Sequence, residues 1–130
     1  MVWGYMSFNG LGKLIFIEGN VNSTKYQEIL QEGLIPDLTG HLKNTNKIFQ
    51  QDLAPGHNSK SSQTWFKKHK IDVLPWSGNS PDLNPIENVW RDLKFKIRSC
   101  KSPPRDKRRF EDYDFGFLDK LSKNKMPKIV

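Results

Sequence analysis

At 130 residues, 35% of them hydrophobic, the chain has the length of one domain and the means for one core, which argues against a second folded domain. No run approaches the roughly eighteen apolar residues of a membrane helix, and the start, MVWGYMSFNG, lacks a basic region followed by a long apolar stretch. Neither a membrane anchor nor a signal peptide is therefore read, and an intracellular protein is expected. Cys100 is the only cysteine, so it can form no internal disulfide, and it has no Cys or His neighbour at metal-finger spacing.

In chain order, VWGYMSF (2–8) and KLIFIEG (13–19) flank the Gly-containing NGLG and predict two antiparallel strands of a hairpin. From 22 to 38, Asn22 and Ser23 are cap candidates, and Tyr26, Ile29, Leu30 and Leu34 share one face, predicting a helix that runs until Pro36 intervenes. A short strand is expected at 46–52, a helix at 59–70, a strand at 71–76 and a turn-rich loop, SGNSPDLNP, at 77–85. In NPIENVWRDLKFKI, Asn84 can cap and Pro85 suits a first helical turn, while Ile86, Trp90, Leu93 and Ile97 form one apolar stripe. Alternating strands and helices favour an α/β layer architecture. Trp65, Phe66, Trp76 and Trp90 are read as core, and His41 and His69 as surface residues.

The net charge of +7 is unevenly placed. Residues 91–109 hold nine Lys and Arg (Arg91, Lys94, Lys96, Arg98, Lys101, Arg105, Lys107, Arg108, Arg109) against Asp92 and Asp106, a surplus of seven that equals the charge of the whole chain. Such a segment attracts polyanions and displaces counterions from a phosphate backbone, making nucleic acid the first partner to consider. It reads equally well as a solvated basic helix end and tail.

Two acids stand at informative places. Asp52 follows an apolar stretch in FQQDLAPGH and precedes an Ala-Pro-Gly turn, where an Asp also commonly accepts local backbone hydrogen bonds. Glu87 falls in the first turn of the helix after the loop, where with Asn84 it also fits a capping box. Between them lie 34 residues, 53–86.

With these acids in place the sequence resembles the DDE transposases of the Tc/mariner superfamily. The matching stretches are MVWGYMS, GKLIFIEG, KYQEIL, FQQDLAPGH and, most specifically, SPDLNPIENVW. The resemblance runs in order over residues 1 to about 98 and implies an α/β, ribonuclease H-like fold, a mixed sheet flanked by helices. It implies that Asp52 and Glu87 are the second and third catalytic acids and ligate Mg²⁺ or Mn²⁺, that the partner is DNA at transposon ends and target, and that two copies pair in the full-length protein. It also implies action in the nucleus of a eukaryotic cell. Hard divalent ions take oxygen ligands, and a pair of them stabilises both entering and leaving oxygens in phosphodiester chemistry.

The family's first acid lies on a strand upstream of the segment that resembles MVWGYMS, and no residue here stands at its position. A fold truncated at the N-terminus, lacking the first central strand, is therefore expected, with residues 1–100 a partial catalytic domain and 101–130 a basic, partly disordered tail. Leu53 stands where the family usually has Asn, while His57 matches its histidine after the turn and is read as site-adjacent or turn-stabilising. The nucleic-acid-binding candidates are Arg91, Lys94, Arg98, Lys101, Arg105, Lys107, Arg108 and Arg109. Two functions follow: part of a DNA transposase catalytic domain, inactive as this chain alone, or a non-catalytic nucleic-acid-binding remnant or domesticated transposon-derived protein.

Overall fold

The computed structural model describes residues 1–7, 9–40, 42–43, 48–75 and 85–116. The chain divides into two compact units, one of residues 1–18 with 81–130 and one of residues 19–80.

In the first unit the expected hairpin forms with a break in its middle. Strand β1 (Val2–Trp3) pairs antiparallel with β4 (Ile15–Phe16), aligning Val2 with Phe16 and Trp3 with Ile15. Strand β2 (Met6–Ser7) pairs with β3 (Gly10–Leu11), aligning Met6 with Leu11, and Gly12 N–H donates to the Tyr5 carbonyl at 2.8 Å. Gly4 thus faces two residues, Lys13 and Leu14, which is the arithmetic of a β-bulge. Glycine is needed at both sides of this irregularity: a Cβ on Gly4 would lie 2.6 Å from Leu14 Cδ2, and one on Gly12 would clash with the Tyr5 ring, 2.0 Å from its Cε1.

Helix α4 (Ile86–Arg98) lays Val89 and Leu93 against Met6, Leu11 and Leu14, with Trp90, Ile97 and Phe115 around them. Val89, which the predicted stripe omits, is fully buried, whereas Trp90 is only partly so. A helix stripe wide enough for a core needs positions at both three and four residues' spacing, and Val89 supplies the three-residue step from Ile86. Asn84 lies outside the described residues; the cap position is Pro85, which has no side-chain cap bond. Residues 107–111, expected in a tail, form a short helix α5 (Lys107–Glu111) capped by Asp106, whose carboxylate accepts the Arg109 N–H at 2.9 Å. Its Phe110 is buried, with ring centroids 5.4 Å from Phe16 and 4.8 Å from Phe115.

In the second unit α1 (Ser23–Gly33) starts as expected, Asn22 Oδ1 accepting the Lys25 N–H at 2.8 Å, and buries Tyr26, Ile29 and Leu30. Pro36 opens a second helix, α2 (Ile35–Thr39), because the first turn of a helix does not use the N–H that proline lacks. Strands β5 (Ile48–Phe49) and β6 (Asp72–Val73) are parallel neighbours, shorter than expected, and α3 (Lys60–Lys68) connects them. Ser59 caps α3 through the Ser62 N–H at 3.1 Å, and Phe66 is buried beside Phe49. His69, read as a surface residue, is half-buried: its Nδ1 bonds the Trp65 carbonyl at 2.8 Å and its ring stacks on Trp65. Trp76, His41 and the 77–84 part of the loop lie outside the described residues.

Leu30 is wholly buried at the centre of the second unit. Leu30→Ala is expected to destabilise the chain by about 2–5 kcal/mol, read as a lowered midpoint in urea unfolding followed by circular dichroism.

Candidate active site

Asp52 stands three residues beyond β5, at the mouth of the Ala-Pro-Gly turn. The turn closes through the His57 and Asn58 N–H groups, which donate to the Ala54 carbonyl at 2.9 and 3.0 Å. Asp52 takes part in it: Oδ1 accepts the Ala54 N–H at 3.0 Å and faces His57 Nδ1 at 2.5 Å. Both sequence readings of Asp52 concern the same carboxylate, since one oxygen serves the turn while the other, Oδ2, accepts no hydrogen bond from the described residues. The side chain is 61% exposed, so Oδ2 is available as an oxygen donor.

His57 is the lynchpin of this loop. Its ring stacks on Tyr26 of α1, centroids 4.2 Å apart and planes inclined by 30°. Its carbonyl accepts from Gln51 Nε2 at 3.2 Å, and Gln51 Oε1 in turn accepts the Tyr26 hydroxyl at 2.5 Å. Ser62, buried on α3, donates its hydroxyl to the Gly56 carbonyl at 2.7 Å. Two helices therefore hold the turn that aims Asp52. Sequence reasoning placed Tyr26 in the core but assigned no role to it or to Gln51; the available signal was that a buried tyrosine hydroxyl needs a partner.

Burial, and after it the negative charge of Asp52, push the Tyr26 hydroxyl well above the ordinary tyrosine pKa. A raised pKa keeps the folded state neutral while an unfolded tyrosine ionises near pH 10. The stability this contributes is therefore complete below about pH 10 and is lost as pH rises further. Thermal unfolding should show a falling midpoint above about pH 10, and Tyr26→Phe should flatten that fall at a cost of about 1 kcal/mol at neutral pH from the lost hydrogen bond.

Glu87 belongs to the first unit, as an exposed residue in the first turn of α4, and Asp52 to the second. Among the described residues no three His, Cys, Asp or Glu side chains gather as a metal site. Leu53 is 46% exposed beside Asp52, and Glu18 is exposed just after β4. The basic candidates fall into two groups and a connection: Arg91, Lys94 and Arg98 are exposed on α4, Lys107, Arg108 and Arg109 are exposed on α5, and Lys101 and Arg105 lie between. As oxygen donors accessible to solvent, Asp52 and Glu87 have the chemistry that a hard divalent cation takes. No helix among the described residues is long and apolar enough to cross a membrane.

The family model described as DDE superfamily endonuclease matches residues 1–111. The chain is 42% identical over 90 residues to the Tc3 transposase of Caenorhabditis elegans, covering 69% of this chain and 27% of that protein. It is 34% identical over 102 residues to the Tcb1 transposase of Caenorhabditis briggsae, covering 78% and 37%. The chain thus spans from about a quarter to little more than a third of the length of such relatives. Among solved structures it superposes on the Mos1 transposase catalytic domain, solved with Raltegravir and Mg, with a TM-score of 0.72 at 17% identity, covering 95% of this chain and 66% of that one. On the Mos1 paired-end complex with the left transposon end the TM-score is 0.78 at 18% identity, covering 93% and 37%. The fold is accordingly the ribonuclease H-like one of those catalytic domains. Motif order, fold and family match agree, and the chain belongs to the DDE superfamily endonucleases, in the catalytic-domain region of the Tc/mariner transposases.

Proposed function

We propose that the chain is part of a DNA transposase catalytic domain, whose reaction is metal-dependent cleavage and transfer of DNA strands, and that Asp52 and Glu87 are two of its metal-ligating carboxylates. The observation that carries this reading is the division of labour at Asp52. In a turn of the family's own sequence, Oδ1 is fixed by Ala54 and His57 while Oδ2 is left to solvent. With Oδ1 fixed by the turn and by His57, the direction of the carboxylate is set while Oδ2 stays open to a cation. The cations, when bound, supply charge stabilisation at the oxygens of the reacting phosphodiester. The chain's own contribution is to orient Asp52 through His57, Tyr26 and Gln51, and to draw the phosphate backbone toward the segment from Arg91 to Arg109.

Mos1 structures containing Mg or Mn support divalent ions as the cofactor, and those with transposon ends support DNA as the partner. Pairing of two copies, and a nuclear site of action, follow from the same reading. A second reading, nucleic-acid binding without catalysis, is favoured by the lack of a three-residue acid cluster among the described residues.

Mn²⁺ titration followed by paramagnetic broadening tests the ligand assignment. One weakly held ion per chain is expected, lost in either Asp52→Asn or Glu87→Gln and kept in Glu18→Gln. Binding that survives both substitutions would remove the two acids from the site.

A further inference from the structure

Five exposed residues of α4, Glu87, Arg91, Lys94, Phe95 and Arg98, are spaced so that they fall within about 100° of the helix circumference at 3.6 residues per turn. They lie opposite the buried Val89 and Leu93. Phe95 is 73% exposed, the highest value among the exposed large apolar residues described. Helix propensity does not account for it, because a lysine or glutamate would serve an exposed position better. Arg91 lies 3.6 Å from Asp92, whereas Lys94 and Arg98 form no ion pair among the described residues.

The centre of a protein–protein interface is depleted of charge, but here a lone aromatic ring is set among three cations. That composition matches an unpaired nucleotide, which offers one π-face and a phosphate on either side. We propose that this face of α4 is a track for single-stranded DNA, in which Phe95 stacks on an unpaired base while Arg91, Lys94 and Arg98 hold the neighbouring phosphates. The inference rests on the reading of the chain as a DNA-handling domain and adds to it the form of DNA that is held. Arg91 to Arg98 spans about 10.5 Å of helix axis, with Phe95 between them. Glu87 begins the same face, about 12 Å before Phe95 along the helix, which sets the proposed metal ligand at one end of the track.

The test uses the purified 130-residue chain and an oligonucleotide carrying 2-aminopurine, offered single-stranded or as a duplex of the same sequence. Single-strand affinity should fall about tenfold in Phe95→Ala and Phe95→Leu and be kept in Phe95→Trp, with duplex affinity unchanged throughout. The quenching of 2-aminopurine by stacking should follow the same order. The melting temperature of Phe95→Ala should equal that of the wild type; a drop of several degrees would show the ring covered by the chain itself and overturn the inference. So would single-strand affinity and quenching that ignore Phe95 while charge reversal at Arg105, Lys107, Arg108 and Arg109 abolishes binding, a result that leaves the DNA reading standing. Loss of a dimer on Phe95→Ala with unchanged DNA binding would assign the face to a second copy and likewise overturn it. Failure of the wild-type chain to bind either form of DNA would overturn both readings.

Discussion

Incubated with transposon-end DNA and Mg²⁺ or Mn²⁺, the purified 130-residue chain is expected neither to nick nor to join DNA. An otherwise identical chain extended upstream by a strand carrying an aspartate is expected to do so. Metals in such a site would supply charge stabilisation and positioning worth several kcal/mol each, so a site with too few carboxylates to hold them should be slower by orders of magnitude. On the proposed assignment two carboxylates, Asp52 and Glu87, are too few to hold two metal ions, and among the described residues no three His, Cys, Asp or Glu side chains gather as a metal site. The control is the extended chain with Asp52→Asn and Glu87→Gln, which should return to background. Nicking by the unextended chain, abolished by the same two substitutions, would mean that another side chain completes the site. Exposed Glu18 would be the first to substitute.

Charge reversal at Arg105, Lys107, Arg108 and Arg109 is expected to weaken DNA binding on the order of 100-fold at low salt, with little dependence on sequence. It should also flatten the salt dependence by roughly 0.9 log units per log unit of salt for each phosphate contact removed. These residues are exposed, and the anchor of α5 is the buried Phe110, so the substitutions leave the core alone. The ion pairs they would forfeit, Lys107 with Glu111 at 4.0 Å and Arg109 with Asp106 at 3.9 Å, are surface pairs worth little. A filter-binding titration with unchanged affinity would assign the segment to solvation.

The elements that the sequence made legible are those whose signal is local. Asn22 and Ser59 cap α1 and α3 by side-chain chemistry visible in a few residues, and the two apolar runs at the start pair antiparallel as their patterns indicate. What the sequence hid depends on partners distant along the chain. The bulge opposite Gly4 depends on where Leu14 and Trp90 come to rest. Burial of Val89 depends on which turn of α4 meets Met6 and Leu11. Pro36 reads as a stop unless the chain is already turning into a new helix. For the candidate site, motif and spacing point to Asp52 and Glu87, the two acids proposed as ligands. The support given to Asp52 was not legible, because Tyr26 and His57 stand 31 positions apart and meet only through the packing of α1 on the turn.

Anomalous diffraction from crystals of the chain grown with Mn²⁺ tests the assignment of the two acids most directly. A manganese peak is expected roughly 2 Å from Asp52 Oδ2 and from a carboxylate oxygen of Glu87, with His57 still on Oδ1. Asp52 and Glu87 found on opposite faces of the sheet, with no manganese at either, would contradict it and leave Glu87 a helix-terminal residue and Asp52 a turn former.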